Sequence, residues 1–177
     1  MKATETTTPH ETSESVDPKA DRLADAREYL RLGRERFRTG DIEDAAAYYG
    51  ISLELFPLAE TYTALGVVLA MRGQWEAAIE QCRHAVELAP ETGNAYNDIG
   101  VYLSELGRRE EALVWLDRAI AAPEYDCRHY PYFHRGRLLE QAGRFQEARD
   151  AFHQSLRLEP DWEPAQAALR HVLGWLN

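Results

Sequence analysis

Residues 59–90, AETYTALGVVLAMRGQWEAAIEQCRHAVELAP, hold the pattern that decides the fold. Within them Tyr62 stands four residues before Gly66, a second glycine follows at Gly73, Ala78 opens an apolar helical stripe, and Pro90 closes the stretch. The same marks recur on both sides. Gly33, Gly66, Gly100 and Gly136 are 33, 34 and 36 residues apart; Gly40, Gly73, Gly107 and Gly143 repeat those unequal steps, and so do Ala45, Ala78, Ala112 and Ala148. Tyr29, Tyr62, Tyr96 and Tyr132 precede the first glycines, and Pro57, Pro90, Pro123 and Pro160 end the units. Three columns with the same irregular spacing define an internal repeat, and a period near 34 means stacked supersecondary units.

The residue types explain what each unit builds. The first glycine lets two helices cross closely, and the second suits a positive backbone φ at a helix C-terminus. Apolar residues then return at helical spacing, as in Ile42, Ala45, Ala46, Tyr49, Leu53 and in Trp75, Ala78, Ile79, Cys82, Val86. Proline stops the second helix. The last segment, DWEPAQAALRHVLGWLN, reads as a single helix with Asp161 as its cap and Ala165, Leu169, Val172, Leu173 and Leu176 on its apolar side. A stacked array needs such a helix to cover its last core face. The expectation is nine helices and no strands, with the first helix lengthened by a helical pattern from Asp21 onward.

These residues resemble the tetratricopeptide repeat family, whose pattern is W-x2-L-G-x2-Y, A-x3-F and P over a helix–turn–helix. The chain gives Tyr29-x2-Leu32-Gly33, Tyr62-x2-Leu65-Gly66, Tyr96-x2-Ile99-Gly100 and Tyr132-x2-Arg135-Gly136, followed by Ala45-x3-Tyr49, Ala78-x3-Cys82, Ala112-x3-Leu116 and Ala148-x3-Phe152. Tyrosine replaces the family's tryptophan, and Arg135 is a polar intruder in the leucine column. The resemblance implies an all-α, right-handed solenoid over residues 21–177. Its units fall at about 26–58, 59–92, 93–128 and 129–161, with a capping helix at 162–176.

Composition removes several classes of function. Thirty acidic against twenty basic side chains give a net charge of -10, which argues against a nucleic-acid binder. It argues equally against a polybasic membrane anchor. The longest apolar stretch, Ala64 to Met71, is too short to span a bilayer. Residues 1–20, rich in Thr, Glu, Ser and Pro, read as a disordered polar tail without the apolar core of a secretory signal. With two cysteines and no disulfide framework, the expected location is the cytoplasm of a bacterial-type cell.

No catalytic constellation or cofactor motif emerges, so the chain reads as non-enzymatic. Cys127, His129 and His134 form the densest cluster of metal-ligating side chains, yet they lack the paired short spacings of zinc sites, and no metal is expected. Cys82 falls in the column of Tyr49, Leu116 and Phe152 and reads as core. Glu43-Asp44 and Glu110-Glu111 fall in first turns of second helices, where they complement the helix dipole.

In the family, the first helix of each unit lines a concave binding face. The resemblance carries Arg27, Leu30, Arg34 and Phe37 to that groove, then Glu60, Thr63, Val67 and Ala70. The third unit supplies Asn94, Asn97, Val101 and Ser104, and the fourth Tyr130, Phe133, Arg137 and Glu140. An asparagine amide both donates to and accepts from a peptide backbone. Asn94 either does this or caps its helix, whereas Asn97 lies inside the helix, where capping does not explain it. Five arginines between Arg27 and Arg38 against two glutamates make a basic end suited to an acidic ligand. Pairing of Arg31 with Glu35 accounts for part of that charge, and Arg34 is the arginine expected to serve the groove.

The expected partner is therefore another protein, held as an extended or helical segment. Repeats that clamp the carboxylate terminus of chaperones are a poor match. They need an asparagine on the second groove helix and basic residues on the third, where this chain has Ala64, Asn94 and Asp98. The Asn97-x2-Gly100 helix followed by Ala121-x-Pro123-x-Tyr125 is similar to bacterial repeat proteins of type IV pilus biogenesis. A second resemblance is to small acidic chaperones of type III secretion translocators. Both make a secretion or pilus-assembly chaperone the main rival to a general adaptor, with an enzyme using Cys127, His129 and His134 a distant third.

Overall fold

The computed structural model describes residues 17–125 and 127–176, and among them it contains nine helices and no strand. They run α1 (Pro18–Thr39), α2 (Ile42–Leu55), α3 (Ala59–Met71), α4 (Trp75–Leu88), α5 (Gly93–Glu105), α6 (Arg109–Ala121), α7 (His129–Gln141), α8 (Phe145–Leu158) and α9 (Glu163–Leu176). The polar tail expected through residue 20 gives way earlier. Asp17 accepts the Lys19 N–H at 3.0 Å, and Pro18 supplies the fixed φ that suits a first helical position. The remainder of that tail, residues 1–16, lies outside the described residues.

One turn joins the two helices of every unit. Gly40, Gly73, Gly107 and Gly143 have φ of 88°, 71°, 73° and 73°. The next residue closes the helix behind it by a six-to-one bond: Asp41 to the Arg36 carbonyl (2.9 Å), Gln74 to Leu69 (3.0 Å), Arg108 to Leu103 (2.9 Å) and Arg144 to Leu139 (2.9 Å). The other glycine column meets the aromatic-or-aliphatic column of the second helix. Gly33 faces Tyr49, Gly66 faces Cys82, Gly100 faces Leu116 and Gly136 faces Phe152. A Cβ on Gly100 would sit 2.7 Å from Leu116 Cγ and 3.3 Å from the Ala112 carbonyl oxygen.

First and second helices play different parts. Among the first helices, α3 touches α5, α5 touches α7 and α7 touches α9, while no comparable contact joins α2, α4, α6 and α8. The first helices therefore form the inner, more tightly spaced layer, which makes their outward side concave. A column of small buried residues (Ser52, Ala85, Ala119 and Ser155) ties the layers together. Ser52 Oγ donates to the Ala26 carbonyl at 2.8 Å and lies 3.0 Å from Thr61 Oγ1, so it joins α1, α2 and α3. Arg135, the intruder in the leucine column, keeps its place by donating from Nε to Asp117 Oδ1 on α6 at 3.0 Å.

The last described helix is α9, whose Ala168 and Val172 pack against Leu139, Ala151 and Phe152. Position 170, one period beyond Gly136, holds arginine, and among the described residues α9 crosses no second helix of its own unit. Asp161 does not cap α9 as expected. The chain enters from Trp162, whose carbonyl accepts the Ala165 N–H at 3.1 Å, so the aspartate lies one residue too early. No helix among the described residues is long and apolar enough to cross a membrane.

The lengthened junction between α6 and α7 is ordered by a short parallel β-bridge. Gly93 donates to the Glu124 carbonyl and Glu124 donates to the Glu91 carbonyl, each at 3.0 Å. Tyr125 lies directly on Gly93, where any side chain would collide with it. Arg128 pins the turn by donating to the Ala122 (2.6 Å) and Pro123 (2.9 Å) carbonyls.

Candidate functional site: the groove of first helices

Three depressions follow the first-helix layer. The first, roughly 420 Å³, brings Arg34 from α1 together with Glu60, Thr63 and Val67 from α3, Asn94 from α5 and Glu124 from the bridged linker. The second, about 210 Å³, is walled by Val101 and Ser104 of α5 and by Phe133 and Arg137 of α7. The third, about 570 Å³, joins Phe133, Arg137 and Glu140 to Pro164, Ala167 and His171 of α9.

Three expected groove residues are not open to a ligand in this way. Leu30 is buried against Tyr49, Leu58 and Val68, because α1 leans on the second unit there. Ala70 is buried beside Ile99 and Leu103, where α3 meets α5. Asn97 is 8% exposed. Its Nδ2 donates to Asp98 Oδ1 at 3.3 Å, and its Oδ1 is buried without a partner. Phe37 is half-buried on the first core cluster, and Arg27 is exposed. Asn94 lies one residue inside α5 and lines the first depression, so it does not cap the helix; Thr92 holds that position.

Two sets of residues lining the depressions lie beyond those expected from the first helices of the four units. Adding one period to Tyr130, Phe133 and Arg137 reaches Pro164, Ala167 and His171, so α9 supplies groove residues as well as a cap. Glu91 and Glu124 come from loops that no register rule reaches.

The basic end is mixed in charge. Arg31 is engaged by Glu28 (2.7 Å) and Glu35 (3.4 Å), and Arg36 by Asp41 (3.6 Å). Arg34 makes no ion pair among the described residues and faces the depression shared with Glu60, Glu91 and Glu124. Farther along, Glu140 contacts both Arg137 (3.7 Å) and His171. Behind the groove, burial raises the Asp98 carboxyl to about 6 against the opposing pull of the Asn97 amide, with Cys82, Tyr102 and Tyr125 around it. Burial also lowers His134 to about 4, helped by the nearby Arg137.

Cys127, His129 and His134 form no metal centre: among the described residues no three His, Cys, Asp or Glu side chains gather as ligands. His129 instead packs on Tyr130 and Trp162, with centroids 4.2 and 4.9 Å away, and Phe133 closes the cluster 4.7 Å from Trp162. Cys82 is fully buried under Gly66 and its thiol is pushed up by burial, which leaves it inert.

Four crossed helix pairs, a closing helix and a groove along the inner layer define an α-solenoid of the protein-interaction class. Family profiles described as tetratricopeptide repeat match residues 57–124 and 129–162, and the chain belongs to that family. It is 37% identical over 128 residues to the protein O-mannosyl-transferase Tmtc1 of Drosophila melanogaster, covering 68% of this chain but 15% of Tmtc1. It is 29% identical over 144 residues to the type IV pilus assembly protein PilF of Pseudomonas aeruginosa, covering 81% of this chain and 56% of PilF. The chain thus spans only part of these relatives. A solved structure of PilF superposes with a TM-score of 0.82 at 26% identity, over 88% of this chain and 70% of that one. YrrB, a tetratricopeptide protein with an unusual peptide-binding site, superposes with a TM-score of 0.66 at 21% identity, over 90% and 84%.

Proposed function

We propose that the protein is a non-enzymatic adaptor that holds an extended or helical segment of a partner protein in the first-helix groove. The observation that carries this reading is Asn97. Its Oδ1 is a buried acceptor without a partner, and leaving an acceptor so costs about 1–3 kcal/mol. On α5, Asn97 stands between Asn94 and Val101, which line the first and second depressions, and it shares their helical face. Its Oδ1 is closed to solvent, so a partner N–H would reach it once the Asn97 amide turns outward into the groove, while Val67, Val101 and Phe133 take apolar side chains. An acidic residue of the same segment would meet Arg34.

The likeness to PilF favours one form of this function, a chaperone or adaptor in the assembly of a pilus or secretion system. Its hallmark is a client that aggregates without the protein. A cytoplasmic site of action goes with the secretion-chaperone form, and an exported one with the pilus form.

The test is partner capture from the native host by variants. Asn97→Ala removes an unsatisfied acceptor, so the melting temperature should hold or rise while capture falls at least tenfold. Val101→Glu should also abolish capture. Glu80→Lys on the outer layer should leave it intact. Retention of the partner by Asn97→Ala and Val101→Glu together with its loss in Glu80→Lys places binding elsewhere.

A further inference from the structure

Each seam between successive units is closed by a residue of a second helix and one of the first helix that follows. The pairs are Tyr49 with Val68, Cys82 with Tyr102, Leu116 with Leu138 and Phe152 with Val172, each within one core cluster. Three of the seams thus contain an aromatic ring, from Tyr49, Tyr102 and Phe152. The seam of Leu116 and Leu138 has none, and there the second depression, about 210 Å³, reaches down to both leucines between α5 and α7. The first and third depressions do not reach the corresponding pairs. Two polar groups line the second depression from facing helices. Ser104 on α5 is half-buried and its hydroxyl makes no hydrogen bond with a described residue, whereas those of Thr39, Ser52, Thr61, Thr63, Thr92 and Ser155 all do. His134 on α7 is also half-buried and without a hydrogen bond among the described residues; its ring meets Phe133 edge-on, 5.5 Å between centroids. Phe133 in turn meets Phe152 and Trp162, so one wall belongs to a cluster of rings.

We propose that this depression is the pocket for a tyrosine of the partner segment, its ring between Val101, Phe133 and Leu138 and its hydroxyl bonded to Ser104 and His134. The proposal rests on the groove reading above and specifies its ligand chemistry. A ring here supplies the aromatic member that the other three seams carry and extends the edge-to-face cluster around Phe133. A phenol both donates and accepts, as do a serine hydroxyl and a neutral imidazole, so all three groups are satisfied together. Phenylalanine or leucine would cover Ser104 and His134 and leave them unpaired, which costs free energy. A charged side chain is disfavoured for a different reason. Burial, reinforced by Arg137, lowers His134 to about 4, so the pocket already resists charge on its own histidine. Glu105 and Arg137, which also line it, offer charges of opposite sign and select for neither.

Selection of a random peptide display library on the full chain at neutral pH tests this. Enriched peptides should share a tyrosine. In a labelled representative, changing that tyrosine to Ala should weaken binding about thirtyfold, and changing it to Phe about fivefold. The Ser104→Ala/His134→Leu double variant should bind the tyrosine peptide and its phenylalanine counterpart equally, with a melting temperature no lower than the parent's. Peptides that keep their preference for tyrosine in the double variant, or that lose affinity on Asn97→Ala yet share no tyrosine, would overturn the proposal and leave the groove reading standing. A preference for phosphotyrosine or glutamate at that place would do the same, since it would assign the depression to an anion on Arg137. Failure to enrich any peptide sensitive to Asn97→Ala would remove both.

Discussion

Asp98 and His134 are half-buried titratable groups close to the groove, and their effects on stability oppose one another. Asp98 has its carboxyl raised from 3.8 to about 6 by burial, so the folded state prefers the protonated form. Its favourable contribution is complete below 3.8 and is lost as the pH rises through 6. His134 is lowered from 6.5 to about 4, so its contribution is complete above 6.5 and is lost as the pH falls through 4. Each is worth on the order of 3 kcal/mol, and between pH 4 and 6 they largely cancel. Urea melts should therefore show Asp98→Asn losing stability steeply on acidification from pH 6.5 to 4, and His134→Gln gaining it. Parallel pH profiles for the two variants would contradict the assignment. Neither group was legible as buried in the sequence. Asp98 follows Asn97 in a helix whose polar residues all read as groove or surface, and the Tyr125 linker, packed across Gly93, joins Cys82 and Tyr102 in enclosing it.

At the scale of helices, the repeat was legible because packing repeats with it. Gly100 and Leu116 are a pair in the sequence columns and a pair in space, and so are Gly33 with Tyr49 and Gly136 with Phe152. Gly100→Leu should cost about 3 kcal/mol, since the backbone oxygen of Ala112 blocks the crossing even if Leu116 moves. For a chain of this size the melting temperature should fall by roughly 10 °C with helical content retained. An unchanged melt would mean the helices can separate without penalty. The exposure of groove positions was less legible. Leu30 and Ala70 occupy the same register as groove residues of other units, but how far the next unit leans over them decides their burial, and no spacing rule encodes that lean. The linker is similar: two added residues announced an irregularity, but its bridge to Thr92 and the delivery of Glu124 depend on tertiary contact.

For the whole molecule, the central claim is that partners enter the concave layer and not the outer one. Both layers expose apolar residues. Val114 on α6 is 52% exposed, and Leu88 and Leu158 end the second helices at 49% and 51%, so exposure alone does not choose between them. The inner layer adds depth, unpaired carboxylates and an amide oxygen without a partner; the outer layer has Trp115 stacked under Arg83 and Arg118, at 5.5 and 4.7 Å, already satisfied within the fold. The most direct measurement is site-specific photo-crosslinking in the native host, with a photoreactive residue at Val67, Val101 or Val114. The groove account predicts a discrete cross-linked partner from Val67 and Val101 and none from Val114. The same partner captured from Val114, with nothing from the two groove positions, would contradict it.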